Sequence, residues 1–196
     1  DEKGIIYVGG LDEFGYIEPD STGMPHYVSL NDSLTGAKDL TSATVTDLKE
    51  KTPGASDFAI GNIYSLIIRD NKIYYLSERT LIIYDTAADS LSYVNLRSLG
   101  LRQCMRIFLI NNRIFFTDNV YGLFEYTDGR ISQLPGGDFF GYKMNFTVLP
   151  YSDDQVIVGT FSSGLYLYNY ITGSVDSSFF ERKIFEKLKK LNVYCG

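Results

Sequence analysis

The chain writes nearly the same phrase twice, "GLFEY" ending at Tyr126 and "GLYLY" ending at Tyr168, with Gly122 and Gly164 42 positions apart. The interval extends beyond the phrase. Aligned beneath one another, "RDNKIYYLSERTLIIYDTAADSLSYV", "INNRIFFTDNVYGLFEYTDGRISQL" and "YSDDQVIVGTFSSGLYLYNYITGSV" share one layout. Each opens on a polar pair, Asp70-Asn71, Asn111-Asn112 or Asp153-Asp154, of the kind that tolerates the left-handed backbone of a tight hairpin turn. An apolar run follows (Ile73 to Leu76, Ile114 to Phe116, Val156 to Val158), then a short loop. A second run comes next, Leu81 to Tyr84, Leu123 to Tyr126 and Leu165 to Tyr168, again at intervals of 42. A fixed period of this length marks an internal repeat, and the repeat constrains the fold more than any single residue does.

The flanks complete the unit. "NIYSLIIR" (62–69), "MRIFLI" (105–110) and "NFTVLP" (145–150) read as a strand before each hairpin, while "SLSYV" (90–94) and "RISQL" (130–134) read as a more polar fourth strand. Residues 4–30 fit the last three strands of a preceding unit. A lone four-stranded sheet of this size buries too little apolar surface to offset its ordering entropy. The runs "KIYYL", "LIIYD" and "LYLYN" are also almost continuously apolar, where a strand with one wet face would alternate. Both faces of each sheet must therefore be covered, and radial stacking of sheets does this. The reading is an all-β chain, a β-propeller fragment of about four blades of four antiparallel strands.

On this reading the whole chain, 1–196, is a partial propeller, with blades at 1–30 (incomplete), 62–95, 104–135 and 144–178. Residues 31–61, rich in Ser, Thr, Gly, Asp and Lys, form an inserted loop with a helical turn around Val45–Lys49. Residues 179–196 form a connector into a further blade. Ile184, Phe185, Leu188 and Leu191 within it keep helical spacing, which predicts a short C-terminal helix. Both ends read as cut from a longer chain.

The formal net charge of −6 argues against a nucleic-acid surface, which needs a clustered basic face. Cys104 and Cys195 stand far apart without a second pair, against a structural zinc site, and their spacing leaves open whether they form a disulfide or remain thiols. No apolar run approaches the roughly 20 residues that span a bilayer. His26, the sole histidine, has no Cys or second His at ligand spacing and no G-x-S-x-G elbow to serve, so it reads as an ordinary edge residue. "GTFSSG" (159–164) joins two strands and is a turn, not a phosphate cradle. The adjacent carboxylates of "LDEF" and "SDDQ" point to opposite strand faces and cannot share a proton or a metal. No catalytic residue, metal ligand or cofactor is assigned.

A ligand site on such a scaffold belongs to the loops at one rim. The loops between second and third strands, "GGLDE" (9–13), "SERT" (77–80), "DNVY" (118–121) and "FSS" (161–163), share that rim and offer Glu13, Arg79, Tyr121 and Phe161. The connection "PGGDFFGYKM" (135–144) adds Phe140 and Tyr142. Charge beside aromatic faces suits an oligosaccharide or another small polar ligand.

"YVGGLDEFGYIEPDSTGMPHYVSL", followed by "TLIIYD", "GLFEY" and "GLYLYN", resembles the two-component-regulator propeller repeats. These form the sensor domains of bacterial hybrid histidine kinases and triple-tyrosine transcriptional regulators. The likeness covers the chain apart from 31–61. It implies an extracytoplasmic (periplasmic) sensory fragment that signals through downstream modules. Taken with the rim residues, the leading reading is a non-enzymatic domain that recognises a carbohydrate-derived ligand, with room for a homodimer. The competing readings are a polysaccharide lyase or glycoside hydrolase on the same scaffold, or a purely structural dimerisation module.

Overall fold

The computed structural model describes residues 4–43, 45–46, 59–161 and 163–179. Within them the protein is all-β, in four sheets of three, five, five and four strands taken in chain order. The first sheet is the meander β1 (Ile6–Gly9), β2 (Phe14–Pro19) and β3 (Pro25–Ser29). The second is built on β6 (Ile63–Arg69), β7 (Lys72–Ser77), β8 (Thr80–Asp85) and β9 (Ser90–Asn95). The third uses β10 (Cys104–Ile110), β11 (Arg113–Asp118), β12 (Gly122–Thr127) and β13 (Arg130–Gln133). The fourth uses β14 (Asn145–Pro150), β15 (Gln155–Thr160), β16 (Gly164–Asn169) and β17 (Val175–Asp176). Every sheet is open, and none closes on itself among the described residues.

The near-continuous apolar runs have a direct cause. Side chains on a strand alternate between faces, and in the second sheet both faces meet a neighbour. Ile73, Tyr75, Ile82 and Tyr84 pack with Phe14 and Leu30 toward the first sheet. Tyr74, Leu76, Leu81 and Ile83 pack with Ile107, Ile114, Phe116, Phe124 and Tyr126 toward the third. The third sheet divides in the same way, sending Phe115 and Leu123 into a core with Val148, Val156, Val158, Tyr166 and Tyr168 of the fourth. Buried phenols find acceptors across the gaps. Tyr75 Oη donates to the Gly15 carbonyl at 2.8 Å, and Tyr168 Oη to the Pro135 carbonyl at 2.6 Å.

Two of the three expected polar turns are two-residue hairpins. Arg69 pairs with Lys72 around Asp70-Asn71, and Ile110 pairs with Arg113 around Asn111-Asn112, where both asparagines hold positive φ of 48° and 62°. The third differs. Pro150 pairs with Val156, and the chain turns over Tyr151 to Asp154. Each first strand also carries an irregularity at the same place, between Ile63 and Ser65, Cys104 and Arg106, and Asn145 and Thr147. A bulge in each unit adds twist where the strand enters from the preceding sheet.

The segment 31–61 is more than an inserted loop. After a 3₁₀ turn at Asp32–Gly36, β4 (Lys38–Asp39) adds in parallel to the outer edge of β9, and β5 (Val45–Thr46) adds in parallel to β13. Val45–Thr46, expected in a helical turn, is therefore extended, while 47–49 lie outside the described residues. The segment straps the second sheet to the third. The Leu40 N–H donates to the Tyr93 carbonyl at 2.8 Å, and the Leu40 side chain packs against the core between the two sheets. The C-terminal helix expected over 181–191, and Cys195, lie outside the described residues. Cys104 is a buried free thiol.

Because neighbouring sheets share each core, one core truncation should be felt by the whole chain. Phe116 is 0% exposed and stacks on Phe124 with ring centres 5.6 Å apart. Phe116→Ala should lower unfolding free energy by about 3–5 kcal/mol in urea titrations. Leu109→Ala on the same sheet, at a side chain 40% exposed, should cost about 0.5 kcal/mol or less.

Candidate functional site

Each sheet presents two ends. One carries the loops between second and third strands together with the connections between sheets; the other carries the first-to-second and third-to-fourth turns. The loop end is held by a buried polar residue at the close of each second strand: Ser77, Asp118 and Thr160, all 0% exposed. Ser77 Oγ accepts from the N–H groups of Arg79 and Thr80, and Thr160 Oγ1 from that of Ser163. Asp118 does more. Its Oδ1 accepts from Val120 and Tyr121 N–H at 2.8 and 2.9 Å, and its Oδ2 from Arg102 and Gln103 N–H, both at 2.8 Å. One carboxylate thus ties the loop to the incoming connection. The Cys104 thiol lies beside it, pushed up by burial and further by the Asp118 charge. The signal was present in the sequence as a polar residue recurring at the interval of the repeat, but nothing in its type separates a loop fastener from a ligand contact.

The residues expected at this rim fall into two corners. Tyr142 and Phe161 lie on the connection and loop where the third sheet joins the fourth, while Tyr121 turns toward the second sheet. Tyr142 N–H donates to the Asn119 carbonyl at 2.7 Å, and Phe161 N–H to the Met144 carbonyl at 3.0 Å. Tyr121 is half-buried against the core between the second and third sheets. Tyr142 is 80% exposed and carries φ +57°, with Met144 at +49°. Two left-handed non-glycine residues so close together lift the phenol ring clear of the surface, in a conformation that costs of order 1 kcal/mol or more for each side chain. Phe139 stands exposed beside the same loop. Lys143 Nζ lies 4.2 Å from its ring centre and donates to its carbonyl.

Phe140 corrects the sequence expectation. It is 0% exposed, with its ring 5.1 Å from that of Tyr168 and 5.9 Å from that of Tyr166, and it presents nothing to a ligand. The 3₁₀ turn Gly137–Phe140 sends one of the two adjacent phenylalanines inward and the other outward. Phe139, Lys143 and Met144 are the corner residues that sequence reasoning passed over.

Glu13 and Arg79 belong to the other corner, between the first and second sheets. There the Gly61 N–H donates to Asp12 Oδ1 at 2.8 Å, and the Glu78 carboxylate lies against Gly61. Arg79 faces Glu78, Nε to Oε1 at 3.9 Å. Glu13 is engaged within its own sheet, accepting from Tyr27 Oη and Ser29 Oγ, both at 2.6 Å, and from Asn31 Nδ2 at 3.2 Å. These hydroxyl donors, Ser29 first, hold its carboxyl below the usual range, while burial and then the Glu13 contact push the Tyr27 phenol up to about 12. His26 is exposed on β3, and no group of three potential metal ligands occurs among the described residues.

Two hollows lie at the turn end. A cleft of about 460 Å³ between the second and third sheets is lined by Arg69, Lys72, Tyr74, Asp85, Tyr126 and Asp128, with Leu40 of the strap as one wall. A neighbouring hollow of about 560 Å³ shares Leu40, Lys72 and Asp85 with it and reaches Lys38 and Asp89.

No family model and no curated protein matches this chain. Among solved structures it is similar to the computationally designed Ika4 protein, at 11% identity and a TM-score of 0.40, over 66% of this chain and 74% of that one. It is also similar to the computationally designed Ika8 protein, at 10% identity and a TM-score of 0.41, over 86% of this chain and 46% of that one.

Two outcomes follow. Asp118→Ala, which leaves four N–H groups without their acceptor, should lower stability by about 3 kcal/mol or more in denaturant titration. For Glu13 the native pKa lies below the unfolded one, so its contribution is present above the ordinary carboxylate range and is lost as pH falls through the native value. An NMR pH titration should find Glu13 titrating below ordinary glutamates, and Ser29→Ala with Tyr27→Phe should move it upward.

Proposed function

We propose that this chain is a run of about four β-propeller repeats and serves as the non-enzymatic, ligand-recognising part of a bacterial extracytoplasmic sensor, with a carbohydrate-derived ligand. The propeller reading draws on the period of the repeat and on sheets packed in chain order with both faces of the inner ones covered. The resemblance to two-component-regulator repeats supplies the sensory role and the periplasmic setting. The observation that carries the ligand assignment is the display of Tyr142, 80% exposed on a left-handed backbone, beside the exposed ring of Phe139 and the ammonium of Lys143. Exposed aromatic faces stack on the C–H faces of sugar rings, and an ammonium donates to hydroxyls at their edge. The left-handed backbone at Tyr142 is held by its N–H donating to the Asn119 carbonyl, which fixes the ring in its displayed position.

A sensor of this kind needs affinity and no turnover. Isothermal titration of the chain against an oligosaccharide panel should give saturable binding without new reducing ends. Tyr142→Ala should weaken that binding by about tenfold or more, the scale of one lost stacking contact, at unchanged thermal stability. Appearance of cleaved product, or binding indifferent to Tyr142, would overturn the assignment.

A further inference from the structure

The cleft at the turn end has a composition unlike that of the loop end. Its charges come from two turns and the strands beside them, in two sheets. Arg69 precedes the first turn of the second sheet and Asp70 lies in it, Lys72 and Asp85 face each other across β7 and β8, and Asp128 occupies the last turn of the third sheet. Both ion pairs are loose. Arg69 Nε stands 3.5 Å from Asp70 Oδ2 and makes no hydrogen bond although the atom is buried, and Lys72 Nζ stands 3.9 Å from Asp85 Oδ2. Partly exposed pairs of this kind contribute little to stability, so redirecting either toward a ligand costs little. Asp128 has no ion-pair partner among the described residues. Between them lies the Tyr74 phenol. Burial pushes its pKa up, Arg69 opposes this, and Asp70, Asp128 and Asp85 add to it. Leu40 closes the outer side, and the Tyr74 and Tyr126 rings, both under a tenth exposed, leave little aromatic surface open to a ligand.

This lining discriminates by charge. A purely anionic ligand meets three carboxylates, a purely cationic one meets Arg69 and Lys72, and a neutral sugar finds little aromatic surface on which to stack. A molecule carrying both signs a few ångströms apart can place a carboxylate on Arg69 and Lys72 and an ammonium on Asp85 and Asp128. The volume of about 460 Å³ is that of a small-ligand site. We propose that the cleft between the second and third sheets at the turn end is a second binding site, taking a small zwitterion: a free α-amino acid or a short peptide with free termini. The inference stands apart from the carbohydrate reading, since the two sites occupy opposite ends of the sheets.

The test is isothermal titration of the full chain against free amino acids and dipeptides, with N-acetylated and carboxamide forms of any binder run alongside. Saturable binding is expected to a free zwitterion, weakened about tenfold or more by blocking either terminus. Asp128→Asn keeps a residue suited to its left-handed turn (φ +46°) and should weaken the free zwitterion while leaving the N-acetylated form unchanged. Arg69→Met should do the converse, sparing the carboxamide. Absence of binding by any zwitterion, equal binding of blocked and free forms, or indifference to both variants would each overturn the proposal. Tyr142→Ala serves as the independent control and should leave zwitterion binding intact.

Discussion

The structure depends on strands that have no dry-versus-wet face. In the second sheet, Ile73 and Tyr75 face one neighbour while Tyr74 and Leu76 face the other, and β8 repeats the division with Ile82 and Tyr84 against Leu81 and Ile83. Such a sheet exposes a large apolar surface on any side that lacks a partner, so it is stable only in company. The cores between sheets are accordingly the structural units, and the second and third sheets are each half of two of them. Tyrosine suits this arrangement because its ring fills the wide space between twisted sheets while its hydroxyl reaches a carbonyl on the next one, as Tyr75 does at Gly15. Gly15 must be glycine for the same reason of closeness, since a Cβ there would meet the Val28 carbonyl at 2.0 Å.

Much of this was legible because it is periodic. The interval of 42 residues, the polar turns and the continuous apolar runs each follow from a strand covered on both sides, and they place the second, third and fourth sheets in register. What was not legible lacks a period. The parallel pairs at Lys38–Asp39 and Val45–Thr46 are two residues long and borrow their hydrogen bonds from β9 and β13, so they need no alternation of their own. The expectation of a loop at 31–61 failed there because an edge strand is specified by the edge it joins. Similarly, "GDFF" does not say which phenylalanine turns inward; the 3₁₀ turn decides, burying Phe140 and exposing Phe139.

The same distinction governs the candidate sites. Glu13, read as a ligand contact, spends its oxygens on Tyr27, Ser29 and Asn31, partners on and beyond β3 that no local pattern links to it. Tyr142, read as a rim residue, is exposed on a left-handed backbone that its N–H anchors to the Asn119 carbonyl. Pairings between loops decide whether a polar or aromatic residue at a rim is fastened or free, and these are the contacts that repeats do not predict. Ser77, Asp118 and Thr160 make the point from the other side: they recur with the period and look like site residues, but each is consumed in closing its own loop.

The leucines that open the third strands measure how far the covering extends. Leu81 and Leu123 are 0% and 1% exposed, and each points forward into the core shared with the following sheet. Leu165 holds the equivalent register, opposite Gly159, but it faces the side of the fourth sheet on which no further sheet lies among the described residues, and it is only half-buried. Its neighbour Tyr166, which points back toward the third sheet, is 7% exposed. Leu167, two residues along on the same face as Leu165, is nonetheless only 8% exposed, so the exposure of Leu165 belongs to the loop end of the strand and not to the whole face.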